Sequence, residues 1–471
     1  SERGESRAGS AVYKNVPLAS VFARLKLNKN VPEPFHYHLN LLTPESAFPE
    51  NFKSLDPKKT TAYLQLFGKD FNRMVSSVNT GDFNCLFVHL LSLLERYTWC
   101  IPSNTMDEFP DISLYDHLRT TAAIAACMYQ YHKTVHDFSA KAITNNQIEK
   151  FLLIVGDLSG IQNYIFDIAN IGAGGVAKRL RARSFYLSAL IDTISHRVVY
   201  ECDLPLCNII FSSGGKFYIL IPNSPETRQK IAAIQVDLDK WLLKNFQGRI
   251  VCNLAQLPFR GADFGHFGQV MGKIAEKIND KKMQPLNCCL IKDGMWQQRE
   301  FIVNRKDWRE DSVLCLSCRK NPAETGRNGE ERLCLQCRRD WEMGTKLANA
   351  RYITFSNETQ AGSNDIASYP LHGDYRVTIL DKLPQNNLSC YLAVKLNDSD
   401  INDLVRYPAT FKYIANYVPL AGEDICVQCA GCLDEKKPRP GELLYFDCMA
   451  NRAGGHKLLG YLKADVDHLG S

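Results

Sequence analysis

The stretch Asn208-Ile-Ile-Phe-Ser-Ser-Gly-Gly-Lys-Phe-Tyr-Ile-Leu-Ile221 decides the fold. Two apolar runs, 208–211 and 217–221, flank Ser212-Ser213-Gly214-Gly215-Lys216. A glycine pair between β-prone runs marks a tight hairpin, because both central turn positions need positive φ. Upstream, Phe151 to Val155 is a short apolar run closed by Gly156-Asp157 and reads as a buried strand, and Ile161 to Ala169 and Val176 to Val199 carry helical spacing. Downstream, Ser224 caps a long amphipathic helix, Pro225 to Phe246, that opens on proline, and Arg249 to Leu257 reads as a further strand before a helix through about Asp280. Strand, helices, strand, hairpin strand, helix, strand is the split β-α-β plan of ferredoxin-like domains, the core of polymerase and cyclase palms. The fold class is therefore α+β.

Before this palm, residues 1 to about 110 read as a leader of short helices and loops, punctuated by Pro32, Pro34, Pro44, Pro49 and Pro57, with Leu86 to Tyr97 apolar at helical spacing. A firmer helix starts near Ser113, whose spacing to Asp116 is that of a capping box. After the palm come a cysteine cluster, strand-like runs at Tyr352–Phe355, Tyr375–Leu380 and Leu388–Lys395, and a second cysteine cluster. The chain ends in the apolar run Leu458–Leu462 and Lys463-Ala-Asp465-Val466-Asp467. Ile154-Val-Gly-Asp157-Leu-Ser159 aligns with Leu462-Lys-Ala-Asp465-Val466-Asp467, which suggests a repeated palm whose second copy stops after its first strand. The expected organisation is a mainly helical leader over 1–150, a first palm over 151–285, a zinc-binding insert over 286–345, an α/β linking region over 346–450, and the start of a second palm over 451–471.

A chain of 471 residues has room for about three domains. Its 45% hydrophobic and 23% charged residues are globular averages, which excludes wholesale disorder, collagen and coiled coil. The net charge of +5 is too small to mark a basic nucleic-acid protein by composition. The N-terminus has no apolar run behind its charges, and no stretch approaches the ~18 consecutive apolar residues of a membrane span, so a soluble intracellular protein is expected. A first residue that is Ser, and an end just past an apolar run, point to a piece of a longer polypeptide.

Seventeen cysteines in a reducing compartment are not expected to be disulfides. Cys85, Cys100, Cys127, Cys202, Cys207, Cys252, Cys288, Cys289 and Cys390 are scattered as small core residues would be. Cys315-Leu-Ser-Cys318 with Cys334-Leu-Gln-Cys337 instead makes two knuckles that present four thiolates to a tetrahedral zinc, a closed and structural site, the bland alternative being reduced surface thiols. Cys426, Cys429, Cys432 and Cys448 could hold a second zinc or an iron–sulfur cluster, or stay unliganded in a loop. Asp465 and Asp467, at i and i+2 on a strand end, point to one face and suit magnesium bound with nucleotide phosphates; acidic residues after strands are otherwise solvated turn residues. Lys178, Arg179, Arg181 and Arg183 follow Gly172-Ala-Gly174-Gly175 and lack Walker spacing, leaving a solvated helix face or a seat for phosphate or RNA backbone. His136-Asp137 reads as a surface pair at a helix end.

Pro110-Asp-Ile-Ser-Leu-Tyr-Asp-His-Leu-Arg-Thr-Thr-Ala122, Gly156-Asp-Leu-Ser-Gly-Ile-Gln162, Leu180-Arg-Ala-Arg-Ser-Phe-Tyr-Leu187, Ser213-Gly-Gly-Lys-Phe-Tyr218, the paired cysteines and Leu462-Lys-Ala-Asp-Val-Asp-His-Leu-Gly470 stand in one order. Together they resemble the large subunit of type III CRISPR effector complexes, most like the Csm (III-A) form. The resemblance implies a parent acting in cytoplasmic antiviral defence. Its HD domain cuts single-stranded DNA, and its paired palms bind ATP with magnesium or manganese and make cyclic oligoadenylates when target RNA binds. It implies partners in the other effector subunits, crRNA and target RNA. By the same resemblance 151–285 is the non-catalytic palm, Asp465 and Asp467 are catalytic and hold the metal, and Ser184, Asp465, Val466 and Gly470 contact nucleotide. No HD nuclease signature precedes residue 11, and nothing after Ser471 supplies a Gly-Gly-Asp-Asp hairpin, so the chain alone is expected to be inactive in both reactions. A catalytically inactive scaffold for crRNA and partner subunits is the alternative. A diguanylate-type cyclase is more distant, because the double palm and zinc knuckles count against it.

Overall fold

The computed structural model describes residues 16–21, 35–51, 53, 56–105, 110–167, 176–298, 313–324, 332–357, 368–384, 388–414, 421–422, 440–441, 444 and 448. Contacts divide the chain into two units: 1–164, 186–304 and 351–414 form the first, and 165–185, 305–350 and 415–471 the second.

In the first unit, α1 (Pro57–Ser77) and α2 (Phe83–Thr98) pack through Met74, Val78, Cys85, Leu93 and Tyr97. Asp56 opens α1 by accepting from the Lys58 amide at 2.9 Å, with Pro57 at the first helical position. The expectation of short helices in the leader is therefore corrected, since α1 runs 21 residues. Its apolar stripe, Tyr63, Phe67 and Met74, is thin against many polar positions, and burial against α2 is what makes it a helix. Ser113 caps α3 (Leu114–Val135) by accepting from the Asp116 amide at 3.0 Å.

A four-stranded sheet follows, made of β1 (Phe151–Ser159), β2 (Ile209–Ser213), β3 (Lys216–Pro222) and β4 (Val251–Phe259). Its order is β2-β3-β1-β4 with every neighbour antiparallel. Between β1 and β2 runs α4 (Val176–Glu201), between β3 and β4 runs α5 (Pro225–Phe246), and α6 (Phe267–Lys282) follows β4. On one face Phe151, Leu153, Val155, Leu220, Ala255 and Leu257 pack with Val270, Ile274 and Ile278 of α6 and Cys127 of α3. Leu152, Ile154, Ile219 and Ile221 alternate with that set and are also buried, so the strands read as continuous apolar runs.

Strand β1 does not stop at Gly156-Asp157 as expected. It pairs on to Ser159, with Gly156 opposite Phe217 and Asp157 opposite Lys216. Gly156 is a packing requirement here, because a Cβ would lie 2.2 Å from the Phe217 ring. At the hairpin Gly214 and Gly215 have φ of +61° and +82°, as a two-residue turn of the primed type demands.

A five-stranded sheet completes the first unit: β5 (Tyr352–Asn357), β6 (Ser368–Pro370), β7 (Tyr375–Leu380), β8 (Leu392–Leu396) and β9 (Ala409–Lys412), in the order β6-β7-β5-β8-β9. Only β8 and β9 pair in parallel. Of the scattered cysteines, six are buried and Cys289 and Cys390 half-buried; Cys288 departs from the core reading, exposed and donating to Asp239 at 2.7 Å. Among the described residues no helix is long and apolar enough to cross a membrane.

Candidate functional site

The second unit contains the four cysteines. The first knuckle is tied by its backbone: the Cys315 amide donates to the Asn321 carbonyl at 2.9 Å, and the Arg319 amide to the Cys315 carbonyl at 2.9 Å. Arg319 closes that turn with φ of +53°. The Leu316 amide donates to Arg332 and the Glu324 amide to Leu333, each at 3.0 Å, which brings the second knuckle alongside. Cys334 stands at the N-cap of a 13-residue helix, α7 (Leu335–Leu347), and Cys337 lies on its first turn. A helix N-terminus favours thiolate through its unpaired amides.

All four sulfurs lie within 4.8 Å of one another, and Cys318 Sγ is 3.8 Å from Cys334 Sγ. Zinc–sulfur bonds of about 2.3 Å in a tetrahedron space the sulfurs about 3.8 Å apart, so the donor set fits zinc. None of these cysteines is in a disulfide. The four thiols share their protons: hydrogen bonds from Cys318, Cys334 and Cys337 lower the Cys315 thiol, while the same contacts raise Cys334 and Cys337. Among the described residues this is the one converging cluster of three or more metal-ligating side chains.

Beside the cysteines lies the basic run of α4. Arg179 is 0% and Arg183 3% exposed, so neither forms a solvated face nor a seat for nucleic-acid backbone, and both readings are corrected at these positions. Arg183 Nε bonds Asp340 at 2.9 Å, its Nη1 bonds the Asp167 carbonyl at 2.9 Å, and its Nη2 reaches Cys337 Sγ at 3.9 Å. Asp340, 1% exposed, also accepts from Gln336 at 2.9 Å. Burial raises its carboxyl, opposed by Arg183 and by the charge of Arg179. Arg181 donates to the Gly344 carbonyl at 3.1 Å, and the Lys178 ammonium stands 4.5 Å over the Trp341 ring. Gly344 is obligatory, since a Cβ there would lie 1.9 Å from the Lys178 carbonyl oxygen. Sequence reasoning missed Asp340, although Cys337-x-x-Asp340 puts it on the helix face of a ligand.

Ser184 is exposed on α4. Asp465, Val466, Asp467 and Gly470, with Cys426, Cys429 and Cys432, lie outside the described residues, and Cys448 is buried. Asp157, which the sequence alignment sets opposite Asp465, belongs to the first unit and is clamped by two ammoniums, Lys216 at 3.3 Å and Lys282 at 2.9 Å. His136 ends α3 in the left-handed region, and Asp137 accepts from the Ser139 amide at 2.9 Å, as a surface pair should. Two open clefts of about 550 Å³ in the first unit hold none of the site residues expected from sequence.

Residues 150–293 match the family described as Csm1 subunit domain B. Similar curated proteins carry the name CRISPR system single-strand-specific deoxyribonuclease Cas10/Csm1 (subtype III-A). That of Enterococcus italicus is 24% identical over 439 residues, 88% of this chain and 52% of the relative. That of Mycobacterium tuberculosis is 30% identical over 394 residues, 81% and 45% respectively. The chain thus spans about half the length of the curated relatives it matches. Solved Csm1–Csm4 cassettes in complex with cA3 and with one ATP each superpose with a TM-score of 0.66 at 19% identity, covering 94% of this chain and 50% of theirs. At that identity the likeness shows the fold.

Proposed function

We propose that this chain, homologous along most of its length to the subtype III-A Cas10/Csm1 proteins, is the middle of the large subunit of a type III-A CRISPR effector. The observation that carries the reading is the match to Csm1 domain B over 150–293, the segment with the β2-β3-β1-β4 antiparallel order expected of a ferredoxin-like palm. Residues 151–285 act as the first palm, which does no chemistry itself. The lysine clamp on Asp157 supports this, because a carboxylate neutralised by two ammoniums is a poor magnesium ligand.

In the parent protein the two palms bind ATP and join it into cyclic oligoadenylates when target RNA is bound, in the cytoplasm and with an HD domain that cuts single-stranded DNA. Asp465 and Asp467 are the carboxylates that would hold the divalent cation, and Ser184, Val466 and Gly470 contact the nucleotide. Magnesium or manganese held there would supply charge neutralisation for the attack of one ATP 3′-hydroxyl, which gives up its proton, on the α-phosphate of another, whose bond to pyrophosphate breaks as pyrophosphate leaves. The partners are the other effector subunits, among them a Csm4-type subunit as in the solved cassettes, together with crRNA and target RNA. The four cysteines hold a structural zinc.

The test is oligoadenylate synthesis by the reconstituted effector with target RNA. Asp465→Ala with Asp467→Ala should lower the rate by more than about 100-fold, the range expected when transition-state charge loses its stabilisation. An unaffected rate would overturn the catalytic assignment. An effector that binds target RNA but makes no oligoadenylate in any form would establish the scaffold.

A further inference from the structure

We infer that Arg183 is the positioning residue through which metal binding at Cys315, Cys318, Cys334 and Cys337 orders the opening turns of α4, residues 176–185. The inference rests on the cysteine cluster being a metal centre. Four thiolates around a divalent cation carry a net charge of −2, and in a buried site that charge needs a cation or donors beside it. Arg183 is that cation. One arm reaches Cys337 at 3.9 Å, another holds Asp340 at 2.9 Å and a third the Asp167 carbonyl at 2.9 Å, so from its place on α4 it ties that helix to the cysteine cluster, to α7 and to residue 167 at once.

The rest of this helix face follows the same partner. Arg181 meets the Gly344 carbonyl, Lys178 covers Trp341, and the Gly344 backbone packs on the Lys178 carbonyl with no room for a side chain. Helix α7, which supplies Asp340, Trp341 and Gly344, has Cys334 at its N-cap, and its first turn carries Cys337. A metal that fixes those two sulfurs fixes the first turn of α7, and the buried Arg183–Asp340 pair carries that constraint to α4. Loss of the metal frees both helix ends together, since neither buried partner can trade the other for water.

The experiment uses the whole chain. Zinc affinity is read by competition with a chromophoric chelator for wild type, Arg183→Gln, Arg183→Lys and Asp340→Asn, and hydrogen exchange of 176–185 is followed with zinc present and stripped. Arg183→Gln should weaken zinc by about 10- to 100-fold, and Arg183→Lys should recover part of the loss. Asp340→Asn should hold zinc at least as tightly as wild type, because the guanidinium charge is then no longer neutralised by a carboxylate. Stripping zinc should speed exchange at 176–185 and leave 216–222 protected. Equal loss in Arg183→Gln and Asp340→Asn would reduce Arg183 to packing and overturn the inference, as would unchanged exchange. If Arg183→Gln does not fold, the order of Arg183→Lys below Asp340→Asn decides. A wild type that takes up no zinc overturns the metal-centre reading itself, whereas zinc held equally by all variants overturns the inference alone.

Discussion

Glycine and histidine carry the sharpest consequences at the scale of single residues. Gly344→Ala puts a methyl into the Lys178 backbone, and overpacking of this kind should cost about 1–3 kcal/mol, read as a lowered denaturation midpoint in urea. His196 and His372 are buried in the first unit, and burial depresses each to a pKa of about 4. Tyr391, Asp192 and Lys412 surround His196, while Arg197 and Asp237 face His372. Both rings are neutral in the fold, and an unfolded histidine takes its proton near 6.5. Their contribution is therefore complete above about pH 6.5, declines as pH falls toward 4, and changes no further below that. Linkage limits it to about 3 kcal/mol for each group. Urea unfolding of His372→Gln should show a flatter fall between pH 6.5 and 4 than wild type; an identical profile would show that this ring does not titrate on unfolding. The role of Arg183 was not legible in the sequence, because its partner Asp340 lies 157 positions away and no local pattern encodes such a pair.

Elements were legible where their ends carry their own chemistry. Helix α5 spans Pro225–Phe246 as expected, since Ser224 caps it from both sides of the box and proline opens it. Strands β2 and β3 were legible from the glycine pair between them. Helix α1 was not, because its polar surface hides a stripe that only α2 completes, and the far end of β1 was not, because Gly156 looks like punctuation until Phe217 is placed over it. The hairpin yields a prediction of its own. Gly214 has open space and a φ that Asn tolerates, so Gly214→Asn should leave stability within about 0.5 kcal/mol. Gly215→Val needs the same left-handed region and meets Ile161 at 2.2 Å, so it should cost at least about 1–3 kcal/mol. Paired chemical denaturation curves decide, and equal curves would mean that the turn relaxes freely.

For the molecule as a whole, the expected α+β class and the cysteine cluster stand, while the carboxylates that would complete a catalytic centre lie outside the described residues. The two halves of the proposed repeat should therefore answer differently to mutation. In the reconstituted effector, Asp157→Asn should lower the thermal midpoint yet keep oligoadenylate synthesis within about threefold of wild type, a change under ~1 kcal/mol in the barrier. A collapse like that expected for Asp465→Ala with Asp467→Ala would mean that the first palm shares the chemistry. The lysine clamp has one more consequence. Lys216 and Lys282 are counter-ions built into the polypeptide, with no off-rate and no dependence on supply. Dialysis, dilution and chelators, which empty a metal site, do not take these two charges away from this corner of the sheet.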